Sequence, residues 1–184
     1  MNLSREAFIR RAEVVREKGT NRSEYMRGRV DKYTWVEQGS SHLMSDLCAA
    51  NLLAQLENAE RVTADRQKSW HYYFSSLSPL REMGLLELSS IPAGCEGNAH
   101  IFYIKARNQQ ERNGLISHLY KNGIVAVFHY VPLHSSPAGQ RFGEFRGDDR
   151  YTTKESLRLL RLPMYYGLDE ETINYVSRAI YSFY

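Results

Sequence analysis

Hydrophobic residues recur every three or four positions in several stretches of the chain, a spacing that predicts amphipathic helices. The first stretch begins at Ser4, a candidate N-cap, and ends at Gly19. A longer one begins at Asp46 and loses its apolar face gradually before it ends near Leu77, just ahead of Pro79. Three shorter helices are predicted further along: one at residues 109–121, one at 153–160, and a terminal one that runs almost to Tyr184, with Asp169 as its candidate N-cap.

Short runs of β-branched and aromatic residues predict three strands, at residues 85–88, 100–105 and 124–130. Together with the shorter helices they predict a small α/β unit in the C-terminal half, with a loop over residues 131–150. Residues 20–42 show no period and are rich in polar and aromatic side chains. A long irregular loop is uncommon in a compact protein and is usually functional, so we interpret this one as functional.

The composition is that of a globular protein and narrows the choice of partners. Of the 184 residues, 42% are hydrophobic and 24% are charged, and the net charge of +3 is too small to indicate a nucleic-acid partner. No apolar run approaches the roughly 20 residues that span a bilayer, so we expect no membrane partner. The two cysteines lie far apart and suggest no disulfide framework, which favours a cytoplasmic location.

Two histidines and one Gly-Ser-Ser turn are the residues that first suggest a binding site. His129 and His134 invite a metal hypothesis, but Pro132 prevents a regular helix across them and no further ligands stand at a known spacing. We therefore predict no metal site. Gly39–Ser41 offers backbone and hydroxyl donors that suit a phosphate, although an ordinary turn before a helix would look the same.

Four longer motifs stand in a characteristic order: Glu17–Arg22 (EKGTNR), Val30–Trp35 (VDKYTW), Gly39–Asp46 (GSSHLMSD) and His129–His134 (HYVPLH). In this order and spacing they resemble the DegT-type sugar aminotransferases, from about Leu3 to Tyr184. The resemblance implies an α/β fold, the C-terminal part of a fold-type I transferase that uses pyridoxal 5′-phosphate (PLP). This part is expected to contain a small, mostly antiparallel sheet with flanking helices. It implies a remnant of the large PLP domain at 1–45, a long connecting helix at 46–78 and a small domain at 79–184.

The resemblance also implies an activity and its partners. Such an enzyme would aminate C4 of a dTDP-4-keto-6-deoxyhexose with glutamate, as a homodimer, in synthesis of enterobacterial common antigen. The lysine that carries PLP in relatives lies just upstream of the part that this sequence matches. None of the six lysines present stands in the matching context, so we expect no catalytic lysine here and an inactive chain when it is alone. The alternative is a non-enzymatic folded remnant or dimerisation module.

The resemblance assigns binding roles to residues of the irregular loop and of the C-terminal half. Ser41 stands where relatives often have an asparagine that contacts the PLP phosphate, and Ser40 is its neighbour. A further set is expected near the sugar nucleotide, with cations for the diphosphate and aromatic rings for the sugar or base. It comprises Asn21, Arg22, Lys32, Tyr33, Trp35, His129, Tyr130 and His134. For each of them, packing at an interface is the alternative role.

Overall fold

The computed structural model describes residues 6–184, so the N-cap predicted at Ser4 lies outside the described residues. The chain divides into two compact units, Met1–Glu57 and Asn58–Tyr184. Among the described helices, none is both long and apolar enough to cross a membrane. Each unit is described by itself below.

The described residues of the first unit form three helices and little other regular structure. Helix α1 spans Glu6–Arg16, α2 spans Arg22–Met26 and α3 spans Asp46–Glu57. Two isolated antiparallel bridges, Glu17 with Ser41 and Thr20 with Trp35, fold the predicted irregular loop back on the end of α1. The prediction of a long aperiodic segment is therefore confirmed apart from the short helix α2, which it missed.

The single long helix predicted from Asp46 is wrong, because the chain forms two helices there. Asn58 separates α3 from α4, which spans Ala59–Glu82, and its backbone angles (φ −103°, ψ 3°) leave the helical region. Asparagine competes with helical hydrogen bonding through its own side chain, which makes it a common point of interruption. Pro79 lies within the last turn of α4, and the helix ends beyond it, where Gly84 takes φ +70°.

A four-stranded antiparallel sheet organises the second unit. The strands β1 (Glu87–Leu88), β2 (Phe102–Lys105), β3 (Val127–Phe128) and β4 (Leu159–Leu162) lie in the order β1-β2-β4-β3. The helices around it are α5 (Gln109–Lys121), α6 (Pro137–Phe142), α7 (Thr152–Arg158) and α8 (Glu170–Tyr181). A 3-10 turn at Leu133–Ser135 and α6 occupy part of the predicted loop. The prediction of a small antiparallel sheet with flanking helices is confirmed.

Strand β4 was not predicted, although it is one of the two central strands. The sequence Leu-Arg-Leu-Leu-Arg-Leu at 157–162 favours a helix by propensity, and the predicted helix at 153–160 ran into it. In the structure Leu159–Leu162 pairs along its whole length with β2 on one side and contacts β3 on the other. Neighbouring strands therefore decide the conformation of this segment against its local preference.

The core of the second unit lies between helices α4, α5 and α8 and the buried face of the sheet. Tyr73 of α4 stacks on Phe102 of β2 with ring centroids 5.0 Å apart, and both side chains are fully buried. Helix α8 begins at Asp169, whose carboxylate accepts a hydrogen bond from the amide of Thr172 at 2.7 Å. The N-cap predicted at Asp169 is confirmed, and it fixes where α8 enters the core.

Four charged side chains join β1, β2 and α7 at one edge of this unit. Lys105 lies 2.8 Å from a carboxylate oxygen of Glu87 and 2.7 Å from one of Glu155. Arg158 contacts the same two carboxylates. Hydrogen bonding to Lys105 is the main reason why the pKa values of Glu87 and Glu155 fall below their ordinary range. Because each charge has two partners, the network ties α7 to the sheet.

The leucines of the second unit allow a matched test of this core. Leu77 is fully buried, whereas Leu133 is 83% exposed. We expect Leu77→Ala to lower the free energy of unfolding by about 3 kcal/mol, since it removes buried methyl groups and leaves a cavity. Leu133→Ala should change it by less than about 0.5 kcal/mol. Urea denaturation followed by circular dichroism measures both, and equal losses would contradict the proposed core.

Candidate functional site

The first unit contains a cavity of about 640 Å³ beside the end of α1 and the start of α3. Its wall is polar and carries charges of both signs, four hydroxyl groups and two apolar side chains. The lining residues are Arg16, Glu17, Lys18, Thr20, Arg22, Tyr33, Ser41, Leu43, Met44, Ser45 and Asp46. Volume and chemistry both suit a small anionic ligand.

Two glycines allow the backbone segments around this cavity to cross in contact. Gly19 has φ +74°, and a Cβ atom added there would lie 1.7 Å from the carbonyl oxygen of Glu37. A Cβ atom on Gly39 would lie 2.1 Å from the amide nitrogen of Gly19. The carbonyl of Gly19 accepts hydrogen bonds from the amides of Val36 and Glu37 at 2.8 and 3.0 Å. No side chain fits at this crossing without moving one of the two segments.

Asn21 closes the same loop with its side chain. Its Oδ1 accepts a hydrogen bond from the amide of Thr34 at 2.7 Å, and its own amide donates to the carbonyl of Thr34 at 3.1 Å. A side chain and a backbone group of one residue thus pair with a single partner across the loop. Asn21 holds the loop closed in this structure and does not line the cavity.

Several ion pairs lie along the chain between α1 and α2, beside the cavity. Arg22 lies 3.2 Å from Glu17, and Arg29 lies 3.1 Å from Glu24. Arg27 forms two hydrogen bonds to the carboxylate of Glu13, and this pairing lowers the pKa of that carboxyl. Exposed pairs of this kind contribute little stability individually. Together they fix the path of the loop from α1 to α2.

Three of the residues predicted to bind ligands lie together in the cavity wall: Ser41, Arg22 and Tyr33. The ring of Tyr33 packs against Tyr25 with centroids 5.7 Å apart and keeps 55% of its surface exposed. Ser40 is not in the wall. Its amide donates to the carbonyl of Val15, and its carbonyl accepts from the amide of Lys18. Lys32 and Trp35 are exposed outside the wall, Trp35 by 72%.

Several wall residues were missed, although two had a signal in the sequence. Lys18 stands directly before Gly19 in the first motif, where a turn was expected. Ser45 precedes α3 and caps it, since its hydroxyl accepts a hydrogen bond from the amide of Cys48 at 3.3 Å. Ser45 could have been found as an N-cap. The positions of Thr20 and Asp46 in the wall depend on the crossing at Gly19. No sequence pattern predicts this crossing.

In the second unit, the rings of His129 and Tyr130 pack edge to face with their centroids 5.1 Å apart. The Nδ1 atom of His129 is buried and has no hydrogen-bond partner among the described residues. Tyr130 keeps 78% of its surface exposed. We predicted that these two residues lie near the sugar nucleotide. In the structure they form an aromatic pair at the surface of the second unit.

His134 has its own polar partners in the second unit. Its Nε2 lies 3.0 Å from Oδ2 of Asp149 and 3.2 Å from Oγ1 of Thr153, and its ring packs on Phe145. The Thr153 hydroxyl donates to Asp149, and this bond, with the nearby His134, lowers the pKa of the Asp149 carboxyl. Nowhere in residues 6–184 do three or more His, Cys, Asp or Glu side chains converge to hold a metal ion.

The second unit also contains a cavity of about 550 Å³, between α4 and the segment that joins β1 to β2. Its wall includes Trp70, His71, Ser89, Glu96 and His100. The His71 ring bonds the carbonyl of Gln67 and the His100 ring bonds the side chain of Asn98. The connecting segment has neither helical nor strand period, so sequence analysis gave no reason to expect a cavity there.

Comparison with known proteins identifies relatives along nearly the whole chain. Residues 3–181 match the model of the DegT/DnrJ/EryC1/StrS aminotransferase family. A pleiotropic regulatory protein of Geobacillus stearothermophilus is 27% identical over 158 residues, which is 85% of this chain and 41% of that protein. This chain therefore spans less than half the length of the relative.

Solved structures give the same picture. A DegT/DnrJ/EryC1/StrS aminotransferase from Brucella abortus is 27% identical, with a TM-score of 0.70 over 88% of this chain and 42% of that one. Spr1654 of Streptococcus pneumoniae, provisionally named a sugar aminotransferase and solved in its PLP form, has a TM-score of 0.76 at 19% identity. That match covers 98% of this chain and 44% of Spr1654, and at this identity it shows a shared fold.

The crossing at Gly19 predicts unequal effects of two glycine substitutions. Gly28 also has positive φ, at +69°, but nothing lies within 4 Å of a Cβ atom added there. Gly28→Ala should cost about 1 kcal/mol in local stability, from backbone strain alone. Gly19→Ala adds a clash with Glu37 and should abolish the protection of the Val36 and Glu37 amides against hydrogen exchange. Equal protection in the two variants would show that the segments do not cross in contact.

The bonds of Asp149 predict a pH-dependent contribution to stability. Its folded pKa is lowered, so the contribution is complete above the ordinary value of about 4 and is lost as the pH falls through the lower folded pKa. Asp149→Asn should lower the melting temperature at pH 7 and have a smaller effect near pH 3. Asp148→Asn is the control, because Asp148 is exposed and contacts only Arg150. A constant effect of Asp149→Asn from pH 7 to pH 3 would contradict this assignment.

Proposed function

The chain belongs to the DegT/DnrJ/EryC1/StrS aminotransferase family, and from that premise we propose that it forms the C-terminal part of a PLP-dependent aminotransferase acting on a nucleotide-linked sugar. The motifs favour amination of C4 of a dTDP-4-keto-6-deoxyhexose with glutamate, the reaction of dTDP-4-amino-4,6-dideoxygalactose transaminase in enterobacterial common antigen synthesis. Because this chain spans less than half the length of its relatives, activity is proposed for the assembled enzyme.

One observation carries this proposal. The motifs Glu17–Arg22 and Gly39–Asp46, which are separate in sequence, meet around one polar cavity and place Ser41 and Arg22 in its wall. A hydroxyl and a guanidinium are the donors that a phosphate ester requires. Two of the four motifs that suggested the family thus also build most of the candidate binding site, and Val30–Trp35 adds Tyr33 to it.

The residues of the cavity wall fit the phosphate group of PLP. Ser41 offers a hydroxyl donor, whereas the Thr20 hydroxyl already donates to the carbonyl of Glu17 at 2.9 Å. Arg22 offers a charged donor held in place by Glu17 at 3.2 Å. Ser41 would hold the cofactor phosphate, as the resemblance implies. When bound, PLP supplies an electron sink for the carbon atom that gains or loses the amino group.

The residues of this chain bind and orient in the proposed reaction, and none of them is assigned to move a proton. Arg22 would position an anionic group in the wall. Tyr33 presents an exposed ring of the kind that stacks on a sugar or a base. Asn21 keeps the loop closed so that these side chains stay in place. Lys32, Trp35, His129, Tyr130 and His134 remain proposed contacts of the sugar nucleotide that the cavity itself does not include.

A dimerisation module without enzymatic activity is the second candidate, and the exposure of α3 favours it. No residue of α3 is buried, and its large apolar side chains are exposed, including Leu47 at 82%, Leu53 at 59% and Leu56 at 61%. An exposed apolar face of this kind marks an interaction surface. The same surface serves the homodimer that we propose for the cytoplasmic enzyme, so PLP binding is what separates the two candidates.

The proposed function predicts how the chain handles PLP. We expect reversible binding that borohydride does not convert to a lysine adduct, and no turnover of glutamate and the keto sugar by the chain alone. Ser41→Ala should weaken PLP binding about tenfold through loss of one hydrogen bond to a charged group. Ser40→Ala is the matched control and should leave the Kd unchanged, since Ser40 is outside the wall.

Absorbance titration and mass spectrometry after borohydride treatment measure both effects. Self-association without PLP binding would favour the dimerisation module. A lysine adduct trapped by borohydride, or turnover by the chain alone, would refute the prediction that none of its lysines is catalytic.

A further inference from the structure

Lys18 has an unusual backbone conformation beside the cavity of the first unit. Its φ is +61°, and Ala99 is the only other described residue besides glycine with positive φ. L-residues other than asparagine and aspartate avoid positive φ, because their Cβ atom crowds the backbone, whereas glycine has no Cβ atom. Non-glycine residues that keep such strain cluster at functional sites, where the side chain is needed.

We propose that the Lys18 ammonium group is the principal phosphoryl-binding cation of this cavity, a role that no motif assigned to it. The inference rests on the proposed function for the identity of the anion. It stands on three observations from the described residues: the conformation of Lys18, its place in the cavity wall and the partners of the charges around it.

The surrounding backbone enforces the conformation of Lys18. The amides of Glu17 and Gly19 both donate to the carbonyl of Val14 at the end of α1, at 3.2 and 2.9 Å. The amide of Lys18 itself donates to the carbonyl of Ser40 at 3.2 Å. Glycine would adopt this geometry with less strain, so the backbone gives no reason for a lysine at this position.

The charges around the cavity leave Lys18 available for a ligand. Of the cations in the wall, Arg22 is paired with Glu17. Lys18 forms no ion pair within the described part of the chain, whereas the charge of Arg16 acts on the carboxylate of Glu13. Only Lys18 is held in a strained conformation. Asp46 is the remaining carboxylate of the wall, so the wall carries one excess positive charge once all five ionised side chains are counted.

The neighbouring groups indicate a phosphoryl anion as the ligand. Lysine acts as a compact point charge, and the hydroxyls of Ser41 and Ser45 add neutral donors in the same wall, whereas that of Thr20 already donates to the carbonyl of Glu17. The N-terminus of α3 also lies there, where the helix dipole favours an anion. Such an anion is either the phosphate of the cofactor or the diphosphate of a sugar nucleotide.

Binding of inorganic anions tests the proposal on the unsubstituted full chain and its variants. Isothermal titration with inorganic pyrophosphate and inorganic phosphate, at low salt and without magnesium, should detect binding. Lys18→Gln should weaken it about tenfold or more, and Lys18→Arg should retain most of it. Lys121→Gln is the control, because Lys121 is exposed, lies outside the wall and has no proposed role in binding. Stronger binding of pyrophosphate assigns the site to a diphosphate, and stronger binding of phosphate assigns it to the cofactor.

Lys18→Gly separates a binding role from a structural one. Relief of the strain should slow hydrogen exchange at the Thr20 and Asn21 amides about fivefold, while anion binding weakens as in Lys18→Gln. Slower exchange with unchanged affinity would overturn the proposal, and so would an unsubstituted chain that binds neither anion. The probes need no PLP or transamination, so anion binding through Lys18 can stand if the proposed function fails. Conversely, PLP binding that Lys18→Gln leaves unchanged would exclude the cofactor phosphate as the anion and leave the proposed function intact.

Discussion

The contact between the backbone at Gly19 and the segment Glu37–Gly39 is the constraint on which the candidate site depends. Hydrogen bonds from Val36 and Glu37 to the carbonyl of Gly19 hold this contact, and it exists only because neither crossing residue has a side chain. It brings the end of α1 to the start of α3, so that Thr20, Arg22, Ser41 and Ser45 share one wall. A residue larger than glycine at the crossing would force the two segments apart, and with them the groups that line the cavity.

The two units are stabilised in different ways. Every buried large hydrophobic side chain among the described residues, from Trp70 to Ile180, belongs to the second unit, whereas in the first unit only Gly19 is buried. The first unit is held by backbone hydrogen bonds across its loop and by exposed ion pairs such as that of Arg27 with Glu13. Ion pairs of this kind are weak and are screened by salt. We infer that the first unit depends on a covering surface for its rigidity, which fits the exposed leucines of α3.

Local signals were enough to predict helices α5, α7 and α8 of the second unit, but not helix α6 or the central strand β4. Asn108 and Asp169 each cap a helix with a side-chain hydrogen bond to an amide three residues on, so α5 and α8 could be placed from sequence. Strand β4 has helical propensity and is a strand only because β2 and β3 flank it. In the candidate site, resemblance to a family identified Ser41, Arg22 and Tyr33. Lys18 could not be found in that way, because its distinction is a backbone angle.

The conformation of Lys18 connects stability with binding in one residue. The backbone there suits glycine, and a side chain in its place raises the free energy of the folded loop. If the ammonium group contributes to anion binding, the same side chain lowers the free energy of the complex through a charge-assisted hydrogen bond. Lysine at this position therefore favours the liganded state over the free one, and ligand binding tightens a loop that has no apolar core of its own. The strain in the free loop and the hydrogen bond in the complex oppose each other. The loop is therefore expected to be only marginally stable until its anion binds.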